Sequence, residues 1–444
     1  MNRIDPAKKG IFGGAVTVAP ATGLRGELAV PGDKSISHRS VMLGSIADGT
    51  TEVEGFLEGE DNLSTIAAFG AMGVRIERPA PSRVLIEGRG MRGLCEPEDV
   101  IDAGNSGTTV RLLTGLLSAQ GFFSVLTGDD TLRRRPMRRV VDPLRLMGAS
   151  IYGRRGASLL PLSITGSKLH GISYTCPVAS AQLKSAILLA GIYADGRTVV
   201  EEPGASRDHT ERMLRTFGAQ VEAGGNRTSV VSTKRLNGCR IIVPGDISSA
   251  AFFIAASMIT PASQLIAKGV GVNPTRTGVI DILRRMGGSV ETLGQREVSG
   301  EPVADILVKS SPLRGIEITG AELLPAIDEF PVICVAAAYA EGTTTITGAG
   351  ELRVKESDRI AAMAECLRAV GCTVREMPDG IAIEGNGGAP LRGGRIDSRG
   401  DHRIAMSMAV AALGSERGVE IEGAGAVDVS FPGFFPTLDG VRAS

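Results

Sequence analysis

Lysine and arginine gather at a few places in this chain, each beside a short phrase bearing Ser, Asp, Asn or Gly. Lys34 and Arg39 stand on either side of Ser35, and Arg111 follows Gly104-Asn105-Ser106-Gly107. Arg133, Arg134, Arg135, Arg138 and Arg139 form a run broken by Pro136, and Lys184 follows Ser180-Ala181-Gln182. Arg353, Lys355 and Arg359 surround Glu356 and Asp358, and His402-Arg403 follows Asp401. Arginine grips carboxylate or phosphate through two parallel N–H bonds, whereas lysine brings a mobile point charge or a proton. The set suits a pair of substrates carrying several negative charges. Asp328 and Glu356 would be surplus in a mere phosphate sink, but they are the groups that general acid–base chemistry needs. A charge run is usually a solvated face, and Arg138-Arg139 taken alone is read that way. The repetition of cations at helix starts sets the whole group apart.

Those starts belong to a repeat. Val30-Pro31-Gly32-Asp33-Lys34-Ser35 returns as Val243-Pro244-Gly245-Asp246-Ile247-Ser248, and weaker openers occur near Asp102, Pro177, Ala326 and Ser398. Each leads into an apolar stretch rich in small residues, such as Ala250–Met258 or Met406–Leu413. A Gly-initiated β-rich segment follows most of them, then an amphipathic helix that closes on Gly73, Gly148, Gly218, Gly287 or Gly371, where a helix C-cap favours positive φ. The pattern predicts an α/β protein of six βαβαββ units, each of about 70 residues. The two strongest openers mark crossovers between two domains of three units each: 33–245, and 1–32 plus 246–444. The cleft between them is the expected ligand site. Ser, Asp and Asn are good N-caps, and the first amides of a helix carry partial positive charge, so several helix starts facing one ligand make an anion trap. The need for caps explains Ser248-Ser249 on its own; it does not explain the cations.

Bulk properties exclude other classes. Net charge is −1, Trp is absent and aromatics are 4%, so neither a basic field nor stacking platforms for nucleic acid are present. Six scattered cysteines and four histidines show no metal-ligand spacing, and the thiols are read as reduced, in or near cores. No Gly-x-x-x-x-Gly-Lys-Ser/Thr loop occurs, and neither Ser40 nor Ser180 has a Gly-x-Ser-x-Gly setting. Met1–Pro20 lacks a charged start followed by an apolar run, and no stretch reaches the roughly 18–20 apolar residues of a membrane span. The expectation is a cytoplasmic protein without membrane or nucleic-acid partners.

Seven ordered blocks resemble the EPSP synthases, a family of enolpyruvyl transferases, over essentially the whole chain. They are Gly32–Arg39, Gly104–Arg111, Arg135-Pro136-Met137, Ser180-Ala181-Gln182, Asp328-Glu329-Phe330-Pro331, Leu352–Arg359 and Asp401–Met406. The resemblance implies a two-domain inverse α/β barrel fold that closes on its substrates. It also implies transfer of the enolpyruvyl group of phosphoenolpyruvate to the 5-hydroxyl of shikimate 3-phosphate, a step toward chorismate and the aromatic amino acids. No metal or organic cofactor is expected, and the family suggests a monomer. Carried onto this chain, the catalytic set is Lys34, Asp328 and Glu356. Shikimate 3-phosphate would be held by Lys34, Ser35, Arg39, Ser180, Ala181 through its backbone, Gln182, Arg207, Asp328 and Lys355. Phosphoenolpyruvate would be held by Lys34, Gly107, Arg135, Gln182, Arg359 and Arg403. Asp328 would take the hydroxyl proton, and Glu356 would give a proton to the methylene carbon and later remove one. Closure would bring Arg359 and Arg403 onto anions held by the other domain.

Two alternatives stay open at this point. The sister enzymes that use UDP-N-acetylglucosamine commonly carry a reactive Cys in a loop that here, Thr127–Met137, has none. A non-catalytic anion-binding relative would have lost Lys34, Asp328 or Glu356, and all three are present. The chain departs from many family members at Val429, where a Lys often precedes the Ser-Phe-Pro motif, and at Glu351, where Asn is frequent. Both departures resemble the divergent, often glyphosate-tolerant branch. Gly107, however, leaves room where a methyl would crowd that longer inhibitor. Measurable inhibition by glyphosate is therefore predicted, and activity unchanged at millimolar inhibitor would refute the steric argument.

Overall fold

The structure, a computed structural model, describes residues 14–443; the N-terminal reading given above for Met1–Pro20 lies outside it as far as residue 13. The described residues divide into two compact units. One holds the residues up to Val30, Gly245–Gln295 and Ala304 onward; the other holds Pro31–Pro244 and Arg296–Val303. Each has its own hydrophobic core.

In the Pro31–Pro244 unit, the helices Lys34–Ile46, Gly107–Leu117 and Ala181–Gly191 are buried almost along their whole length. In the other unit that place is taken by Ile247–Ile259, Phe330–Ala338 and His402–Leu413. Runs such as Ala250-Ala251, Ala336-Ala337-Ala338 and Ala411-Ala412 are fully buried. Small side chains let helices pack closely, and a helix apolar all round must lie inside. The second helix of each repeat buries one face only. In Arg138–Leu146 the inward residues are Val140, Val141, Pro143 and Leu144.

Among the described residues the strands form six sheets. In one of them Arg240–Ile242 runs parallel to Asp48–Glu54, which is antiparallel to Arg83–Arg89, which in turn pairs antiparallel with Arg75–Ala80. Five sheets are four-stranded; the sixth is three-stranded. There Val419–Glu422 lies between Gly394–Asp397, parallel, and the N-terminal strand Val16–Val18, antiparallel. Among the described residues the last repeat thus departs from the βαβαββ pattern: Val16–Val18 pairs with Val419–Glu422 where the other sheets carry a hairpin strand.

The two Val-Pro-Gly-Asp phrases are crossovers that exchange strands. Arg25–Ala29 precedes the helix Lys34–Ile46 but pairs with Gln264–Gly271, in the other unit's sheet. Arg240–Ile242 precedes Ile247–Ile259 but pairs with Asp48–Glu54. A further exchange was not legible in sequence: the turn of the hairpin Ser289–Val298/Glu301–Lys309 belongs to the Pro31–Pro244 unit. There Glu301 meets His209 Nδ1 at 2.7 Å, and Gly300 O accepts from Arg212 Nη1 at 3.0 Å.

All five closing glycines have positive φ, from 83° at Gly73 to 99° at Gly148. The six cysteines are unpaired, and burial pushes the Cys176 thiol up to about 12. No helix among the described residues is long and apolar enough to cross a membrane.

The first crossover needs glycine for space. A Cβ on Gly32 would lie 1.7 Å from Gly55 O, and one on Gly55, itself at φ +73°, would lie 2.5 Å from Val243 O. Gly32→Ala should lower stability by about 3 kcal/mol or more, because backbone rather than a side-chain tip must give way. Gly70→Ala, in a helix with nothing within 4 Å of the new methyl, is the control and should be neutral to stabilising. Thermal melts compare them, and equal midpoints would remove the steric account.

Candidate active-site residues

Five of the six central helices start with a side-chain cap. Asp33, Ser106, Ser180, Asp246 and Asp401 each accept from an amide of the first turn. The exception is Phe330–Ala338, which has no side-chain cap and carries Pro331 at its start. Proline there removes an amide that would otherwise need an acceptor. The two acidic residues just before that helix, Asp328 and Glu329, face arginines instead.

In the Pro31–Pro244 unit, the start of Lys34–Ile46 presents Lys34 and Arg39. Lys34 Nζ pairs with Asp61 Oδ2 at 2.5 Å. Arg39 is buried and donates to Thr210 Oγ1 at 2.6 Å, Ser185 Oγ at 2.8 Å and Ser35 O at 3.0 Å. Burial pulls its guanidinium down to about 10, against the opposing pull of Glu211 and Asp33, so it stays charged at neutral pH. At the next helix start a Cβ on Gly107 would sit 2.6 Å from Arg111 Nη1 and 3.4 Å from Arg135 Nη1. Arg135 donates to Asn105 Oδ1 at 2.8 Å. Gln182, at the third start, accepts from Arg111 at 3.0 Å and donates to Thr108 Oγ1 at 3.1 Å. Two helix starts are thereby tied into one polar surface with two guanidinium groups beside a bare glycine. Ser180 caps the third helix and Ala181 opens it. Ser35 and Arg207 are half-buried, and the Arg207 charge is felt at Arg39.

In the other unit Arg359 is the centre. It is 1% exposed and meets Asp401 Oδ2 at 2.9 Å, Glu356 Oε2 at 2.7 Å and Asp328 Oδ1 at 3.4 Å. Burial opposes its charge, but Asp401, Glu356 and Asp328 outweigh burial and hold it above its ordinary range. Burial likewise works against the Asp401 carboxylate, and Arg359 overcomes it, leaving Asp401 below its usual value. Arg403 donates to Asp328 O at 3.0 Å, and its Nη2 lies 3.7 Å from Asp328 Oδ2. Lys355 is half-buried, directly before Glu356.

Not every cation singled out in sequence faces these groups. Arg353 is held by Asp358 at 2.7 Å, Glu376 at 3.0 Å and Pro378 O at 2.7 Å, and fastens a strand turn. Arg138 pairs with Asp142 on the surface. Lys184 is buried between Glu202 and Glu211. Val429 ends a short 3-10 helix, and the Phe431 beyond it packs with Phe253 and Phe434, so Ser-Phe-Pro serves as a packing anchor here. Asp61, which positions Lys34, was not singled out, and Asn105, which positions Arg135, was quoted in its phrase without a role. Asp61 lies in the second helix of its repeat, and no spacing in the sequence relates it to Lys34.

Behind Lys34 the buried His38 Nδ1 meets Thr65 Oγ1 at 2.7 Å, and a hydroxyl chain continues through Thr109 to Ser106. Burial first, then the Lys34 and Arg39 charges, holds the imidazole well below its ordinary 6.5. The unfolded chain binds a proton there that the folded chain refuses, so this group costs stability as pH falls through 6.5 toward the folded value. His38→Gln should flatten that segment of the pH–stability curve. Urea midpoints across the acid side of neutrality measure it, and an unchanged slope would sink the assignment.

The family model described as EPSP synthase (3-phosphoshikimate 1-carboxyvinyltransferase) matches residues 18–438. The 3-phosphoshikimate 1-carboxyvinyltransferase of Geobacter metallireducens is 61% identical over 96% of this chain and 99% of its own length. That of Geobacter sulfurreducens is 61% identical over 95% of this chain and 98% of its own. Among solved structures, the EPSP synthase of Acinetobacter baumannii is 50% identical, covers 96% of this chain and 98% of its own, and superposes with TM-score 0.87. The enolpyruvyl transferase NikO of Streptomyces tendae, 18% identical with TM-score 0.78 over 97% of this chain and 98% of its own, shares the fold. With a family match across nearly all of its length and relatives this similar, the chain belongs to the EPSP synthase family.

Proposed function

We propose that this chain transfers the enolpyruvyl group of phosphoenolpyruvate to the 5-hydroxyl of shikimate 3-phosphate, releasing phosphate. The observation that carries the reading is 61% identity, over nearly the full length of both chains, to enzymes named for that reaction. The side chains suit its chemistry. The hydroxyl oxygen adds to C2 of phosphoenolpyruvate while C3 takes a proton, giving a tetrahedral adduct. The adduct then expels phosphate as C3 loses a proton, which restores the double bond.

Asp328 would take the hydroxyl proton and bind ring hydroxyls. Glu356 would serve C3, first as acid and then as base. Both carboxylates share the Arg359 guanidinium. An anion of phosphoenolpyruvate arriving on Arg359 would compete with Glu356 for the same N–H groups and release that carboxylate for proton transfer. Lys34, held by Asp61, would contact both substrates and supply a proton near the bridging oxygen. Ser35, Arg39, Ser180, the Ala181 backbone, Gln182, Arg207 and Lys355 would hold shikimate 3-phosphate. Gly107, Arg135, Gln182, Arg359 and Arg403 would hold phosphoenolpyruvate. The enzyme would act on these two small molecules as a cytoplasmic monomer. Light scattering that gave twice the chain mass would correct the oligomeric part.

The test is phosphate release from phosphoenolpyruvate with shikimate 3-phosphate, with UDP-N-acetylglucosamine and with no acceptor. Release with shikimate 3-phosphate alone is expected; release with the sugar nucleotide, or with neither, would overturn the reading. Glu356→Gln and Asp328→Asn should each lower kcat by about 100-fold or more, the usual worth of a positioned acid or base. Retained kcat in either would remove that residue from the proton-transfer roles.

A further inference from the structure

Lys184 and Glu202 are buried, charged and unused by the roles assigned above. Lys184 Nζ lies 2.9 Å from Glu202 Oε2 and 2.8 Å from Glu211 Oε1, with side-chain exposures of 5%, 2% and 1%. Ions this deep are costly unless every lone pair and N–H has a partner, so the cluster calls for a reason to exist. Its hydrogen bonds supply one. Glu202 Oε1 accepts from the Ser180 N–H at 2.9 Å, and Oε2 accepts from the Ser206 hydroxyl at 2.8 Å. Lys184 Nζ also donates to Ser206 O at 3.2 Å. One buried ion pair therefore clamps the residue that caps Ala181–Gly191 and the residue immediately before Arg207.

The cluster reaches a third cation. Glu211 follows Thr210, whose hydroxyl accepts from Arg39 Nε at 2.6 Å. Ser185, next to Lys184, accepts from Arg39 Nη2 at 2.8 Å and shares a hydrogen bond with Thr210 at 2.6 Å. Ser180, Arg207 and Arg39 come from three separate elements, yet all three are braced against Lys184, Glu202 and their neighbours.

We propose that the buried Lys184–Glu202 pair is a positioning element for the phosphate-bearing acceptor substrate, setting Ser180 and Arg207 at the separation that a phosphate monoester needs. The proposal rests on the reading of the reaction above. Neither residue touches substrate. The pair acts through the backbone of Ser180 and Ser206, so its loss should weaken one substrate and spare the other.

Two variants separate this from plain stabilisation. Glu202→Gln keeps the shape but removes one of the two carboxylate charges facing Lys184, and Glu202→Asp keeps the charge but shortens the reach, so that it no longer spans Ser180 and Ser206. Steady-state kinetics on the full chain should show KM for shikimate 3-phosphate raised about tenfold or more in both, the scale of a lost charge-assisted hydrogen bond. KM for phosphoenolpyruvate and kcat should stay within about threefold, as expected when an interaction common to ground and transition states is lost. A lower melting temperature with both KM values unchanged, or a parallel loss in both KM values and kcat, would overturn the proposal. A measurement on the unmodified protein covers the case in which the variants do not fold. Adding shikimate 3-phosphate should slow amide exchange at Leu183 and at Arg207–Asp208 together, at the same ligand concentration. Protection of one segment without the other would overturn it. Should the unmodified enzyme fail to release phosphate with shikimate 3-phosphate, the reaction assignment fails first, and that outcome is distinct from both.

Discussion

A guanidinium at 1% exposure is tolerable only where anions surround it, and Arg359 has three. The placement of its whole neighbourhood follows from that requirement. Asp401 satisfies Arg359 and also accepts from the Arg403 amide at 2.9 Å, so one carboxylate fixes both the buried charge and the start of the helix His402–Leu413. Ser357 donates to the same carboxylate at 3.0 Å, tying down the segment that carries Lys355 and Glu356. Asp328 and Glu356 also meet the guanidinium, and Arg403 lies beside Asp328. Two carboxylates suited to proton transfer are thus oriented by one cation that cannot move without exposing several charges.

Arg39, in the other unit, is held differently. Arg39 donates to two hydroxyls and a carbonyl rather than to a carboxylate, and burial lowers it accordingly. A buried cation with neutral partners gains when an anion arrives, because the anion supplies the charge its surroundings lack. Arg359, by contrast, already has carboxylates around it. The two settings differ in kind: Arg39 is buried with neutral hydrogen-bond partners, and Arg359 among carboxylates.

Capping follows the same economy. Five central helices satisfy their first amides with their own Asp or Ser, and the sixth does not, because its two acidic residues are drawn to Arg403 and Arg359. Pro331 reduces the need by removing one donor. The one helix start that breaks the local rule is the one that carries Asp328, which is where a functional demand is expected to override a local preference.

Much of this was legible from residue order alone. Repetition of a capped opener, an apolar small-residue helix and a closing glycine specifies six α/β units, because each signal is local: caps lie within three residues of the amides they serve, and a glycine at a C-cap needs no distant partner. Ordered blocks such as Gly32–Arg39 and Leu352–Arg359 likewise bring the cations and carboxylates to notice. Tertiary structure decided the rest, where partners lie far apart in the chain. Val16–Val18 completes the last sheet across some four hundred residues, and nothing in its three residues names Val419–Glu422 as the partner. Lys184 and Arg353 have the same composition and setting as the cations that line the helix starts. Only the packing shows that one turns inward to Glu202 and Glu211, and the other away to Glu376. The sequence by itself determined which residues carry charge and which helices begin beside them. The fold decided which of those charges meet, since the cost of burying an ion depends on neighbours that only three-dimensional packing supplies.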